Sequence, residues 1–124
     1  MMKEQNGFTL LEVIIALFIF SVGLLAVASM QMSAIKGNYF SGTLTEASNW
    51  AADQMETLMS LPYTEDDLAA GDHPDVPLEE GIYTITWNVL EDDTTNNTKT
   101  IAITVAWTDR GSQRTLVLPG IKAR

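Results

Sequence analysis

A chain of 124 residues with a formal net charge of −9 and no cysteine has room for one small domain. It excludes disulfide bracing, thiol chemistry and cysteine-ligated metals, and its acidity argues against nucleic-acid binding, which needs a basic stripe. Its single histidine, His73, has no partners that would make a Ser–His–Asp or Cys–His site, and neither a phosphate cradle nor a zinc-ligand spacing is present.

The first seven residues, Met1–Gly7, form a short polar leader. Phe8 follows, and the run Val13–Ile35 contains no Asp, Glu, Lys or Arg. At about 23 residues it is long enough to cross a bilayer as a helix. Glu12 stands just inside its start. An uncompensated charge at the bilayer centre costs roughly 2.5–3.5 kcal/mol on insertion scales, so this carboxylate needs a partner. The positive end of its own helix supplies about 0.3–1 kcal/mol, and a free amine on a neighbouring chain would supply more. An ordinary secretory signal cut after Ala26-Val27-Ala28 is the competing reading. It fits poorly, because Lys3 is neutralised by Glu4, Glu12 would fall in the apolar region, and the helical pattern runs on past Ala28.

The stretch Gly7-Phe8-Thr9-Leu10-Leu11-Glu12, joined to that apolar run, resembles the class III signal of type IV pilins and of the pseudopilins of type II secretion. The resemblance implies that a prepilin peptidase cuts between Gly7 and Phe8 and methylates the new amine of Phe8. Thr9, Leu10 and Leu11 then belong to the signal motif, and Glu12 is the assembly carboxylate that pairs with the terminal amine of an adjacent subunit. Major pilins of this superfamily usually carry a proline in the second half of the segment, and none is present here.

Residues 8–35 read as the membrane or filament-core helix, and residues 36–61 as its amphipathic continuation through the weak spots Gly37 and Gly42. Leu44, Ala47, Ala51, Met55, Leu58 and Met59 recur at helical spacing, with Glu46, Asp53 and Glu56 elsewhere around the wheel. Pro62 disfavours helical geometry at Leu61 and ends the rod, which would be roughly 80 Å long. Residues 62–81 read as an acidic connecting loop with Pro74, Pro77 and Gly71. Asp66, Asp67, Asp72 and Asp75 are its calcium candidates on oxygen-ligand chemistry alone. Their spacing matches no EF-hand, acidic surface loops far outnumber calcium sites, and no other cofactor is expected. His73 reads as a solvated loop residue.

From residue 82 the pattern changes to period two. Tyr83, Ile85, Trp87 and Val89 share one face, and Ile101, Ile103, Val105 and Trp107 repeat it. Leu116 and Leu118 mark a shorter third strand, and Pro119–Arg124 reads as a tail. Asp109-Arg110-Gly111-Ser112 is a tight turn. Asn96-Asn97-Thr98 fits a glycosylation acceptor of a kind that arises often by chance. Three strands in sequence predict an antiparallel meander across residues 82–124, covered by the stripe from Leu44 to Met59. The expected fold is therefore α+β and pilin-like, a long N-terminal α-helix packed on a three-stranded antiparallel β-meander, with Trp87 and Trp107 in the core.

Leu11-Glu12-Val13 leading into Gly23-Leu24-Leu25, the short chain and its terminal meander resemble the type IV pilus modification protein (PilV-like) family of minor pilins. That resemblance implies a non-enzymatic assembly part, held in the inner membrane by one span with its C-terminal part periplasmic, and later placed in a pilus filament or at its tip. The implied partners are prepilin peptidase, other pilins and minor pilins through the helix, the inner-membrane assembly platform and membrane lipid. A minor pseudopilin of a type II secretion system and a binding module displayed at a pilus tip remain the alternatives.

Overall fold

The computed structural model describes residues 6–91 and 97–124. In chain order it contains α1 (Leu10–Ser60), a single 3-10 turn (Asp66–Leu68), β1 (Gly71–Glu80), β2 (Tyr83–Glu91), β3 (Thr98–Asp109) and β4 (Ser112–Ala123). Asn96 of the acceptor tripeptide and most of the β2–β3 join lie outside the described residues. The chain divides into two compact units, the first ending at Tyr39 and the second running Phe40–Arg124.

The first unit is a bare helix. Helix α1 continues through Lys36-Gly37-Asn38 without a break, and every described residue from 6 to 42 is exposed. Ser21 and Ser29, two of the three serines within the apolar run, are satisfied inside the helix. Ser21 donates to the Leu17 carbonyl at 2.7 Å and Ser29 to that of Ala26 at 2.8 Å, so neither brings an unpaired polar group into an apolar surrounding.

The second unit is a four-stranded antiparallel sheet in the order β1-β2-β3-β4, packed against the C-terminal half of α1. The apolar stripe behaves as its spacing predicts. Ala47, Ala51 and Leu58 are buried, and Leu44, Met55 and Met59 pack partly buried against the core. The alternating residues of β2 and β3 form the other half: Tyr83, Ile85, Trp87 and Val89 beside Ile101, Ile103, Val105 and Trp107, all buried. Between β3 and β4, Arg110 and Gly111 both take positive φ (48° and 79°). This is the backbone that a two-residue hairpin needs to match the right-handed strand twist.

The sheet corrects the three-stranded expectation. Residues 71–80, read as part of the acidic connecting loop, are strand β1, paired with β2 from Gly71↔Val89 to Glu80↔Tyr83 with a register shift between His73 and Leu78. This strand is hard to read from sequence because it is an edge. It is exposed along most of its length, so no period-two burial is imposed on it. Its prolines, Pro74 and Pro77, are tolerated where no further strand needs their missing N–H. His73 belongs to this strand and is half-buried, its ring stacked on Trp87 with centroids 6.2 Å apart.

The second correction is at the other edge. The expected short third strand and tail are one twelve-residue strand, β4, which pairs with β3 from Asp109↔Ser112 to Thr98↔Ala123. Pro119 interrupts the sequence signal but not the strand, again because an edge tolerates it. Gly120, opposite Ile101, lies so close to the helix that a Cβ there would fall 2.6 Å from Sδ and Cε of Met55.

Candidate functional site

Two places carry chemistry that the core packing alone does not require: the start of α1, and the end of α1 where the sheet receives it. At the start, Gly7 and Phe8 precede the helix in irregular backbone, and the Phe8 side chain is 85% exposed. The peptide bond between them is thus outside any hydrogen-bonded turn. The helix is set by Thr9. Its hydroxyl oxygen accepts the Glu12 N–H at 3.1 Å, and its carbonyl accepts the Val13 N–H at 3.2 Å. Thr9 is therefore an N-cap, satisfying one of the amides that a helix start leaves unpaired.

Thr9-Leu10-Leu11-Glu12 also has the Thr-x-x-Glu order of a capping box. This order lies inside the same stretch that resembles the class III signal. The cap places Glu12 in the first turn of α1, where the helix dipole favours a carboxylate. Ala16, one turn on, is small, and shallow grooves pass on both sides of Glu12. One is bounded by Thr9, Ile15 and Ile19, the other by Phe8, Val13 and Leu17. Glu12 thus stands between two largely apolar grooves on an exposed stretch of helix.

At the far end, α1 has no basic residue of its own in its last turn. Two lysines paired across β3 and β4 (Lys99↔Lys122) serve the terminus instead. Lys122 is buried and its ammonium donates to the carbonyls of Leu58 (3.1 Å), Met59 (2.7 Å) and Leu61. Lys99, also buried, donates to the Tyr63 carbonyl at 2.8 Å, lies 4.4 Å from the Tyr63 ring centroid and pairs with Glu91 at 3.3 Å. Charge and hydrogen-bond donors thus meet the unpaired carbonyls and negative pole of a helix C-terminus. Nothing in the sequence distinguishes these two lysines from solvated surface ones.

The acidic candidates are divided. Asp66 and Asp67 in the 3-10 turn and Asp75 in β1 border one shallow groove with His73. Asp72 instead accepts a hydrogen bond from the Asn88 amide at 2.7 Å. Among the described residues no three carboxylate or histidine side chains converge as a metal cluster. The same segment has a structural task that the sequence reading missed. Leu68 is fully buried in the core, and the Asp67 carbonyl accepts the Trp87 indole N–H at 2.9 Å.

No curated protein and no solved structure matches the chain. Residues 2–28 match the model of the prokaryotic N-terminal methylation motif, and this span contains the Gly7–Phe8 bond, the Thr9 cap, Glu12 and the first part of the exposed apolar helix. The chain therefore carries a type IV pilin-like class III signal.

Proposed function

We propose that this chain is a minor pilin of the type IV pilus modification kind, processed between Gly7 and Phe8, methylated on Phe8 and inserted into a filament through its apolar helix. The observation that carries the reading is the methylation motif over residues 2–28, which spans the Gly7–Phe8 bond at a point outside the helix. Before assembly the helix would rest in the inner membrane, where the peptidase and the assembly platform meet it, with the second unit on the periplasmic side. In the filament, lipid contacts are exchanged for neighbouring helices. Glu12 then meets the methylated amine of the next subunit, a pairing favoured in an apolar setting because an unpartnered carboxylate there is costly. The role is mechanical and needs no catalytic step.

The absence of a helix-breaking proline and the continuity of α1 from Leu10 to Ser60 favour a minor over a major subunit. Mass spectrometry of the chain from cells with active prepilin peptidase tests the reading. The expected species begins at N-methylated Phe8; retention of Met1–Gly7 overturns it. Whether pilus or type II secretion genes flank the coding sequence separates a minor pilin from a pseudopilin.

A further inference from the structure

Strand β4 runs alongside the second half of α1 from end to end. Lys122 lies at the carbonyls of Leu58 and Met59, Gly120 at Met55, and Arg114 at Phe40, its guanidinium carbon 5.5 Å from the ring centroid. The β3–β4 hairpin continues past Arg114 by two further pairs, Thr108↔Gln113 and Asp109↔Ser112. Its turn, Arg110-Gly111, is therefore at the end of the second unit where that unit begins, at Phe40. Arg110 and Arg114 are the exposed cations at this end; Arg124 and the buried Lys99 and Lys122 are at the other. Among the described residues no carboxylate pairs with Arg114. Of the acids at this end, Asp109 lies 3.9 Å from Arg110 and Glu46 accepts the Tyr83 hydroxyl at 3.0 Å. Glu79 and Glu80 are on β1, three strand spacings across the sheet, or about 14 Å.

We propose that Arg114 and Arg110 bind the phosphate of an anionic phospholipid head group at the membrane surface from which the second unit emerges. The chain itself brings them there. Phe40 is five residues beyond Ile35, the last residue of the apolar run, along an unbroken α1, which is about 7.5 Å of rise. The head-group layer outside the hydrocarbon core is about 5–7 Å deep. Tyr39 and Phe40, both exposed, are the amphipathic rings that such a layer accepts. Stacked on Phe40, the Arg114 guanidinium keeps its in-plane N–H donors for a ligand, and their fork matches two phosphate oxygens. Arg110, at the hairpin turn, adds a second positive charge, and each cation near an anionic surface strengthens the attraction. A chain of net charge −9 is otherwise repelled by such a surface, so the contact is confined to this hairpin and orients the unit on the bilayer. The inference rests on the reading above that the apolar helix spans a membrane before assembly.

The chain has no cysteine, so a Gln113→Cys variant takes a single fluorophore beside the two arginines. The full chain is reconstituted in phosphatidylcholine vesicles with or without phosphatidylglycerol, each with a nitroxide on some of the head groups. Flotation reports the span, and quenching of the fluorophore reports the contact. Quenching is expected to be about threefold stronger with phosphatidylglycerol and to weaken in high salt, as screening acts on exposed charges. Arg110→Gln with Arg114→Gln is expected to bring it to the level of neutral vesicles. Ser112→Lys places a cation on the same face as Arg114, removes no side-chain hydrogen bond among the described residues, and is expected to strengthen it. A label at Asn97→Cys, at the far end of the sheet, is expected to show no dependence on composition. Equal quenching of the Gln113→Cys label in the two kinds of vesicle overturns the proposal. So does a composition dependence that survives the double glutamine variant, or one shared by the far-end label. If the chain floats with both kinds of vesicle while the label at position 113 is indifferent to composition, the head-group contact fails and the membrane reading stands. If it floats with neither, both fail.

Discussion

The Lys122 ammonium lies 2.7 Å from the Met59 carbonyl oxygen, so the next-to-last residue of the last strand closes the end of the first helix. Ser60 and Leu61 lead directly into Pro62, which ends the helix without offering a cap of its own. A buried cation from sixty residues further along completes it. The terminal strand is thus part of how the helix ends, and not an appendage to the sheet.

Lys122→Met keeps much of the apolar stem but leaves the Met59 and Leu61 carbonyls without their ammonium donor, and the Leu58 carbonyl with only the Leu61 N–H at 3.4 Å. Hydrogen bonds to charged groups contribute about 1.5–3 kcal/mol each in net terms, and buried carbonyls left unpaired add a penalty. A loss of about 2–3 kcal/mol is expected in denaturant unfolding of the full chain in detergent. Lys122→Arg is expected to restore it poorly, since a planar fork cannot turn its donors as an ammonium does. Wild-type stability in Lys122→Met would remove the capping role.

Gly120 faces Met55, and the atoms a Cβ would meet are the flexible end of that side chain. Gly120→Ala should cost little, because a thioether tail can swing aside. Gly120→Val should cost about 1–3 kcal/mol, the usual penalty for overpacking. Met55→Ala in the Gly120→Val background is expected to recover part of that loss, a coupling that a double-mutant cycle reads directly. Strict additivity would show that the two residues do not share the space.

Leu68 is fully buried within a segment whose sequence is otherwise acidic and polar. Leu68→Ala should destabilise the second unit by about 2–5 kcal/mol, as large-to-small core changes do. Removing Glu65–Glu80 altogether should abolish its cooperative melting, since Leu68, β1 and the acceptor for Trp87 leave together. Asp66→Asn with Asp67→Asn should leave the melting temperature nearly unchanged, as both side chains border an open groove. Added calcium is expected to shift neither protein; a rise confined to the wild type would establish a site there.

Thr9→Ala removes the hydroxyl that accepts the Glu12 N–H. Loss of an N-cap costs about 1 kcal/mol, and the effect should be local. Amide exchange at Leu11 and Glu12 is expected to speed up while membrane insertion is unaffected. Glu12→Ala should instead leave the helix start ordered and insertion intact, and should remove the chain from filaments. If Thr9→Ala and Glu12→Ala gave the same assembly defect with the same exchange pattern, the carboxylate would have no role apart from the cap.

The features readable in the sequence are those set by local periodicity. The apolar run, its amphipathic continuation to the turn before Pro62, and the alternation of Tyr83–Val89 and Ile101–Trp107 each bury one defined face, and burial imprints a period on composition. The motif from Gly7 to Glu12 was legible for a related reason, since its parts lie within one short stretch. Strand β1 is not legible, and β4 only around Leu116 and Leu118, because edges escape that imprint. Prolines are allowed there, exposure is tolerated, and only the hydrogen bonds of a neighbouring strand make them strands. The burial of Lys99 and Lys122, the seat of Leu68 and the place of Arg114 beside Phe40 were decided by tertiary structure alone. Each depends on which distant residues meet, and a charged or polar side chain looks the same in sequence whether water or a helix end receives it.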